Sequence, residues 1–217
     1  PDAEERLTSA ARNLGVSTPA TAKGPVFSQQ PSKLLPGLFR NIDPEQRLTV
    51  LEIGTALPET VDFFSEYRCR LHFLDLYDAP FLHQPEEPLA GTELREAFSR
   101  QFNFPEGTRI DICLFWDFIS FLDDSALRAF NDALKPFVHA GTRAHGFGVH
   151  HLAVRLEHLQ YGIIDQGNVS MRRRPGAEMP YHPHSQLEMA DMLNIFTFER
   201  GLLLPNGKLE MLLKSTV

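Results

Sequence analysis

Three acidic residues stand beside short apolar segments of the sequence, where their side chains could do chemistry. Glu52 lies two positions before a glycine, Asp75 closes a second apolar segment, and Asp117 closes a third. A carboxylate can accept hydrogen bonds from two ligand hydroxyls or take a proton from a nucleophile. Each also has a structural alternative. Glu52 could pair with a basic side chain, Asp75 could end a strand in a turn, and Asp117 could cap a helix.

The segment after Glu52 reads Gly54-Thr55-Ala56-Leu57-Pro58. A glycine at the end of a strand can adopt positive φ and lets a ligand lie against the main chain. Ala56 adds only a methyl group at such a turn. Pro58 fixes φ at about −65° and removes an N–H donor. Both effects are compatible with a ligand site if Pro58 begins a helix. This segment therefore predicts a ligand-binding turn that has lost part of its glycine content.

Six of the nine histidines fall between residues 145 and 184. Imidazoles are common metal ligands, but His182 and His184 lie beside prolines in a predicted loop, and no cysteine or suitably spaced carboxylate completes a ligand set. We therefore expect no metal. His145 and His150 lie near the end of a predicted strand and are candidates for a general base, as is Asp117.

The run Arg172-Arg173-Arg174 is the only concentrated positive charge in a chain of net charge −7. Guanidinium groups bind carboxylates and phosphates through paired hydrogen bonds. These arginines, together with Tyr181, are thus candidates for binding a substrate anion. The structural alternative is a solvated loop between Gly167 and Pro175.

The elements that must position these residues alternate between strands and helices. Strands separated by helices imply parallel neighbours with right-handed crossovers. Asn206-Gly207 then separates two further strands and is a strong hairpin signal. We predict an α/β fold with a Rossmann-like, doubly wound, mostly parallel sheet and a C-terminal antiparallel β-hairpin. The predicted strands are Leu48–Ile53, Leu71–Leu74, Ile110–Trp116, one within Phe137–Val149, Phe196–Leu204 and Leu209–Leu213; the helices are Pro58–Tyr67, Thr92–Arg100, one from Asp123 or Asp124, one containing Leu152, Leu156 and Leu159, and Ser185–Leu193.

The composition and the first thirty residues limit the kinds of protein that this chain could be. Residues 1–30 are predicted to form a tail, with a short helix Glu4–Leu14 that could dock on a partner protein or on its own domain, and a flexible linker Gly15–Gln30. Residues 31–217 then form one domain. The negative net charge argues against nucleic acid or a membrane surface as a partner. Two distant cysteines and the lack of a signal peptide or a long apolar run lead us to expect a cytoplasmic protein.

These segments resemble the class I S-adenosylmethionine (SAM) dependent methyltransferase family over about Leu48–Lys214. Leu-Glu-Ile-Gly (51–54) resembles the first motif of the family, and Leu-Asp-Leu (74–76) resembles the end of its second strand. Asp111-Ile-Cys-Leu-Phe-Trp-Asp117, with Phe121-Leu-Asp-Asp124, resembles the fourth strand and the helix start after it. The family loop usually reads Gly-x-Gly-x-Gly, and here only Gly54 remains.

The resemblance implies SAM as the cofactor and assigns roles by position. Asp75 would accept the ribose hydroxyls, and Asp117 would face the methionine or substrate pocket. The residues that would border the methionine end and the loop are Glu52, Gly54, Thr55 and Ala56. The tetrapeptide of DNA amino methyltransferases and the Pro-Cys pair of the pyrimidine C5 enzymes are both missing, so neither activity is expected.

Three functions remain open at this point. The first is a SAM-dependent methyltransferase acting on a small-molecule or protein substrate. The second is a catalytically inactive protein of the same fold, a pseudoenzyme that serves as a protein-binding or regulatory module. The third is a different nucleotide- or nucleoside-binding domain on the same sheet. The segment Gly54–Pro58 separates the first two, because it decides whether SAM can bind.

Overall fold

The computed structural model describes residues 27–40, 42–43, 45–83, 89, 91–176 and 178–217. The predicted helix Glu4–Leu14, its suggested docking role and the linker up to residue 26 lie outside the described residues. Within them, the strands are β1 (Ser28–Pro31), β2 (Leu48–Ile53), β3 (Cys69–Leu74), β4 (Ile112–Trp116), β5 (Arg143–Gly148), β6 (Leu159–Asp165), β7 (Asn168–Arg173), β8 (Phe196–Leu203) and β9 (Leu209–Ser215). The α-helices are α1 (Pro58–Phe64), α2 (Gly91–Gln101), α3 (Asp124–Leu134) and α4 (Gln186–Met192).

Six strands form the central sheet in the order β3-β2-β4-β5-β9-β8. The first four are parallel to one another, whereas β9 is antiparallel to both β5 and β8. The turn of the terminal hairpin contains Gly207 at φ +82°, a conformation that glycine adopts without strain. The predicted fold class, a mostly parallel doubly wound sheet that ends in an antiparallel hairpin, is confirmed.

Alternate residues of the central strands point to opposite faces of the sheet, and each face has its own core. Leu51, Cys113 and Phe115 pack with α2, α3 and α4. Val50 and Leu114 pack on the other face with α1, the 3-10 helix Leu35–Phe39 and a second, smaller sheet. The helices therefore cover one face, while the other face is covered largely by strands.

The smaller sheet is antiparallel, in the order β1-β7-β6. The predicted helix through Leu152, Leu156 and Leu159 was wrong. Leu152 is exposed, and Leu159 begins strand β6 of this smaller sheet. Three leucines at helical spacing are too few to define an amphipathic helix. In the residues that follow, apolar and polar side chains alternate, which is typical of a strand. Because β1 pairs with β7, Ser28–Gln30 form part of the smaller sheet, although the predicted linker includes them.

Several helix starts follow their sequence signals. Pro58 occupies the first turn of α1, and Asp123 caps α3 by accepting a hydrogen bond from the Ala126 N–H at 2.8 Å. Ser185 and Glu188 form a capping box at α4. The predicted cap Thr92 instead lies inside the first turn of α2.

Both cysteines are free thiols, Cys113 buried and Cys69 partly so. In the part of the chain that the structure describes, no helix has the length and apolarity needed to cross a membrane.

Candidate functional site

The carboxyl ends of β2, β3 and β4 bring the predicted cofactor residues to one edge of the sheet. Gly54 continues the β2 ladder, since its N–H donates to the Leu74 carbonyl at 2.8 Å. Its φ of +149° lies in the region that favours glycine. A Cβ on Gly54 would lie 3.8 Å from Arg174 Nη2 and 4.0 Å from Trp116 Cδ1, which is ordinary contact. The backbone conformation, more than lack of room, therefore requires this glycine.

Asp75, at the end of β3, is already hydrogen-bonded within the chain. Arg174 Nη1 lies 2.8 Å from each of its two carboxylate oxygens, and the Thr55 hydroxyl donates to Oδ2 at 2.5 Å. The guanidinium carbon of Arg174 also lies 4.1 Å from the ring centroid of Tyr77. Arg174 is only 4% exposed, whereas the Asp75 side chain is 29% exposed, so the carboxylate side of the pair is open to water.

Asp117, after β4, is fully buried beneath two phenols. The Tyr77 hydroxyl donates to Oδ1 at 2.6 Å and the Tyr161 hydroxyl to Oδ2 at 3.0 Å, while Lys208 Nζ donates to the Tyr161 hydroxyl at 3.3 Å. Burial raises the pKa of Asp117, against the lowering effect of Tyr77, Lys208 and Tyr161. Burial and the neighbouring Asp117 also raise the pKa of both phenols. Asp117 makes no side-chain cap to the 3-10 helix that follows it, so the helix-cap alternative was wrong.

Glu52 faces an indole rather than a basic side chain. Trp116 Nε1 donates to Glu52 Oε1 at 3.0 Å, and Glu52 Oε2 has no hydrogen-bond partner among the described residues. Burial raises the pKa of Glu52 to about 8, so this side chain is a neutral acid at pH 7. Trp116 itself has φ +50°, which is rare for a bulky residue, and its indole stacks on Tyr161 with ring centroids 5.4 Å apart.

These side chains leave almost no space at the edge of the sheet. The remaining void is about 180 Å³ and has no room for a water-sized sphere. A small-molecule site needs roughly 300 Å³ or more. The residue types match the contacts implied for SAM, but the cofactor does not fit while Arg174 and Tyr161 stand where they do. The residues that enclose the void are Ile53, Gly54, Thr55, Tyr77, Trp116, Leu159, Gln160, Tyr161 and Arg174.

The two candidate histidines lie away from this edge. His145 is in the middle of β5, fully buried, with Nε2 donating to Glu210 Oε1 at 3.0 Å. His150 follows β5 and its Nδ1 lies 3.1 Å from the His184 carbonyl oxygen. Neither histidine hydrogen-bonds to Asp75 or Asp117 in the described residues. Within the described ranges, no three His, Cys, Asp or Glu side chains are placed to hold a metal ion.

Ser32, His145 and Glu210 have the residue types of a hydrolytic triad but not its geometry. The Ser32 hydroxyl donates to Glu210 Oε1, and Ser32 Oγ is 3.5 Å from His145 Nε2. All three side chains are buried, so no substrate can reach the hydroxyl. A nucleophilic serine needs its base within hydrogen-bond reach and a substrate beside it. This cluster is structural.

The three arginines do not converge on one anion. Arg172 and Arg174 point to the same side because they are two residues apart in extended chain, and each pairs with a carboxylate of this chain, Glu59 and Asp75. Arg173 is exposed, with only a 3.4 Å contact to Glu178. The Tyr181 hydroxyl donates to the Leu152 carbonyl at 3.2 Å. The predicted solvated loop was also wrong, since Arg172 and Arg173 belong to β7.

Sequence reasoning missed the residues that fill the edge: Tyr77, Trp116, Tyr161 and Lys208. Tyr161 carries a usable signal, because it lies in an alternating apolar pattern with Leu159 and Ile163. Trp116 and Lys208 carry none, since their partners lie far away in sequence.

No protein family matches this sequence, and no curated protein is similar to it. Among solved structures, the chain is similar to the Burkholderia thailandensis 1,6-didemethyltoxoflavin-N1-methyltransferase bound to 1,6-didemethyltoxoflavin and S-adenosylhomocysteine. The TM-score is 0.47 and the identity 15%, over 79% of this chain and 72% of that one. It is also similar to a SAM-dependent methyltransferase of Clostridium acetobutylicum (TM-score 0.44, identity 10%, 77% and 83% covered).

The pyocyanin biosynthetic protein PhzM has a TM-score of 0.45 and 14% identity to this chain. The match covers 84% of this chain and spans about half of PhzM, 54%. The six-stranded, mostly parallel sheet with its antiparallel terminal hairpin agrees with the fold that the resemblance to the class I SAM-dependent methyltransferases implies.

Proposed function

We propose that this chain is a SAM-dependent methyltransferase-like protein whose cofactor site is closed by Arg174 and binds SAM when Arg174 leaves Asp75. One observation carries the proposal. The guanidinium lies directly on the carboxylate that, by position in the resemblance, would accept the ribose hydroxyls. The cation supplies N–H donors where the sugar would supply O–H donors. The two occupants therefore compete for the same oxygens.

Release of Arg174 is costly unless the guanidinium finds a new partner. The buried guanidinium would be unfavourable without a carboxylate partner, whereas the partly exposed Asp75 carboxylate can be solvated by water. Asp78 offers an alternative, since its Oδ2 lies 3.9 Å from Arg174 Nη1 and its side chain is 69% exposed. A small outward movement would transfer Arg174 from Asp75 to Asp78. The pair could then open without leaving an isolated charge.

Asp117 would also lose a partner, whereas Glu52 would keep its hydrogen bond from Trp116. Tyr161 hydrogen-bonds to Asp117 and Trp116 hydrogen-bonds to Glu52. Tyr161 lies on β6 and Arg174 directly follows β7, so displacement of this one hairpin would remove both residues from the edge together. The hairpin is thus the unit that closes the site. The substrate implied is a small molecule or a protein group that presents a nucleophile to the methyl donor.

Calorimetric titration with S-adenosylhomocysteine and SAM tests the proposal. We expect Arg174→Met to bind S-adenosylhomocysteine at least about tenfold more tightly than the wild-type chain, because the competing cation is gone. Asp75→Asn in the Arg174→Met background should lose this gain. Arg173→Met is the matched control, since Arg173 is exposed on the same hairpin, and its affinity should equal that of the wild type.

No heat at millimolar ligand for either the wild type or folded Arg174→Met would overturn cofactor binding. The alternative is a pseudoenzyme that keeps the fold as a binding module and leaves the edge of the sheet filled. On that reading the Arg174–Asp75 pair is structural, and Arg174→Met lowers the melting temperature without creating a ligand site. Adenosine in the same titration separates a general nucleoside-binding domain from a SAM site.

A further inference from the structure

The amino ends of β2, β3 and β4 form a cleft of about 590 Å³, at the edge of the sheet opposite to the closed site at Asp75 and Arg174. Thr49 on β2 is the register partner of Arg70 on β3, and the Thr49 carbonyl accepts the Asp111 N–H at 2.8 Å. These three residues therefore stand in one row across neighbouring strands, and all three line the cleft. Their side chains point to the same face of the sheet, because partners in a row share a face.

Positive charge is concentrated in this cleft, although the net charge of the chain is −7. Arg47, Arg70 and Arg109 line it near the starts of the three strands, and all three are exposed. None of these guanidinium groups has a hydrogen bond or an ion pair in the part of the chain that the structure describes. An adjoining cleft of about 390 Å³ adds the exposed cations Arg40 and Lys214. The fold brings these charges together from distant parts of the sequence.

Asp111 also lines the cleft, but other groups engage its carboxylate. Its Oδ2 accepts the Thr49 N–H at 2.7 Å, and its Oδ1 lies 3.3 Å from His139 Nε2. His139 Nδ1 accepts the Gly141 N–H at 3.2 Å, so the ring proton is on Nε2 and is donated to Asp111. Asp111 therefore holds the strand starts together and leaves the three arginines without a carboxylate partner.

The turn before Arg109 is fixed by its own hydrogen bonds. The Thr108 N–H donates to the Pro105 carbonyl at 3.1 Å, and the Thr108 hydroxyl donates to the same oxygen at 2.6 Å. Gly107 completes the turn at φ +74°, a conformation that favours glycine. The backbone that carries Arg109 is thus ordered before a ligand arrives, which lowers the entropic cost of binding.

We propose that this cleft binds a chain of two or more linked phosphate groups through Arg47, Arg70 and Arg109. A guanidinium donates paired hydrogen bonds to phosphate oxygens, and successive phosphates of one chain give each arginine its own partner. The cleft has the size of a small-molecule site, and a single phosphate would leave part of its positive charge without an anion. The Glu106 carboxylate, exposed on the same cleft, opposes an anion without cancelling three cations.

Calorimetric titration of the full chain with sodium tripolyphosphate, in buffer without SAM or divalent metal ions, tests the site. We expect saturable binding. Arg70→Met and Arg109→Met should each weaken it at least about tenfold, because each variant loses charge-assisted hydrogen bonds. Arg200→Met is the matched control, since Arg200 is exposed on β8 at the far side of the sheet and its replacement removes the same charge. Its affinity for tripolyphosphate should equal that of the wild type.

Two further variants and a second anion test the chemistry of recognition. Arg70→Lys keeps the charge but loses the paired donors, so its affinity should fall between those of the wild type and Arg70→Met. Glu106→Gln removes the opposing carboxylate and should bind tripolyphosphate at least about threefold more tightly than the wild type. Citrate, which carries carboxylates instead of phosphates, should bind at least about tenfold more weakly than tripolyphosphate.

No saturable heat with tripolyphosphate up to millimolar concentration would overturn the site. Equal affinities of Arg70→Met, Arg109→Met and Arg200→Met would overturn it as well, and melting temperatures equal to that of the wild type show that these variants are folded. Citrate binding as tight as that of tripolyphosphate would overturn recognition of phosphate.

Adenosine triphosphate in the same titration separates the two sources of a phosphate chain. Affinity equal to that of tripolyphosphate indicates a free chain, and tighter binding that Arg70→Met also weakens indicates a nucleotide. Because the assay contains no SAM and the cleft lies at the opposite edge of the sheet, its outcome is independent of cofactor binding at Asp75.

Discussion

Two buried glutamates in the central sheet, Glu52 on β2 and Glu210 on β9, hold opposite protonation states. Their exposed fractions are 2% and 0%. Burial raises the pKa of Glu52 to about 8. Burial acts in the same direction on Glu210, but hydrogen bonds from His145, Ser32 and the Leu34 N–H lower its pKa to about 2.

Both side chains are shielded from solvent, but they differ in the number of hydrogen-bond donors around the carboxyl group. Glu52 accepts one hydrogen bond from an indole, and its second oxygen has no partner in the described residues. Glu210 accepts from two side chains and from the N–H groups of Lys33 and Leu34, at 3.3 and 2.9 Å. Hydrogen bonds to the charged form favour it, and desolvation without them disfavours it.

The two environments also serve different parts of the molecule. The donors to Glu210 come largely from residues 32–34, so its charge ties the start of the domain to β9. Glu52 lies beside the closed site. Its buried oxygen without a hydrogen-bond partner lowers the stability of the folded chain. Glu210 therefore stabilises the fold, whereas burial of Glu52 costs stability.

The largest effect is expected from Glu210→Gln. The amide cannot accept the same set of N–H and O–H donors, so we expect a loss of about 3 kcal/mol or more in the free energy of unfolding. Urea denaturation at pH 7 measures it. Glu199→Gln is the control, since its pair with Arg143 is about one-quarter exposed and should contribute about 1 kcal/mol or less. Equal losses in the two variants would contradict the structural role of Glu210.

A smaller effect of opposite sign is expected from Glu52→Gln above pH 8. The folded pKa of Glu52 is raised above its ordinary value of 4.5. Its stability contribution is therefore full below pH 4.5 and is lost as the pH rises toward 8, because only the unfolded chain releases the proton. Glutamine does not titrate, so the variant should exceed the wild type by about 1–3 kcal/mol at pH 8.5. Parallel stability curves for the two proteins between pH 4.5 and 8.5 would refute the raised pKa.

The smallest expected effect is that of Ser32→Ala, about 1 kcal/mol. The Ser32 hydroxyl donates to Glu210 and accepts the Leu35 N–H at 3.0 Å. Glu210 has a lowered pKa, so its contribution is present above pH 4.5 and is lost as the pH falls toward 2. Without Ser32 this acid loss should begin at higher pH, as read from stability curves between pH 2 and 5. Ser28→Ala, which removes an exposed hydroxyl on the same segment, should leave the curve unchanged.

The fold was predictable because its signals are local. Apolar strands, helix caps and the Asn206-Gly207 turn each depend on a few neighbouring residues, and so do the positions of Gly54, Asp75 and Asp117 at strand ends. The closure of the site was not predictable, because Arg174 pairs with a residue 99 positions earlier. No spacing rule reports such a contact. The helix expected near Leu156 failed for a related reason, since pairing of β6 with β7 decided the structure there.

The chain contains one tryptophan, and Trp116 lies within the closed site. Its indole is 1% exposed, stacked on Tyr161 and hydrogen-bonded to Glu52. The intrinsic tryptophan fluorescence of these 217 residues therefore comes from a single ring in a dry, aromatic environment. Emission from the closed state should lie at short wavelength, and movement of the β6–β7 hairpin would let water reach the indole and shift the spectrum to the red. The site thus carries its own optical reporter, with no need for an attached label.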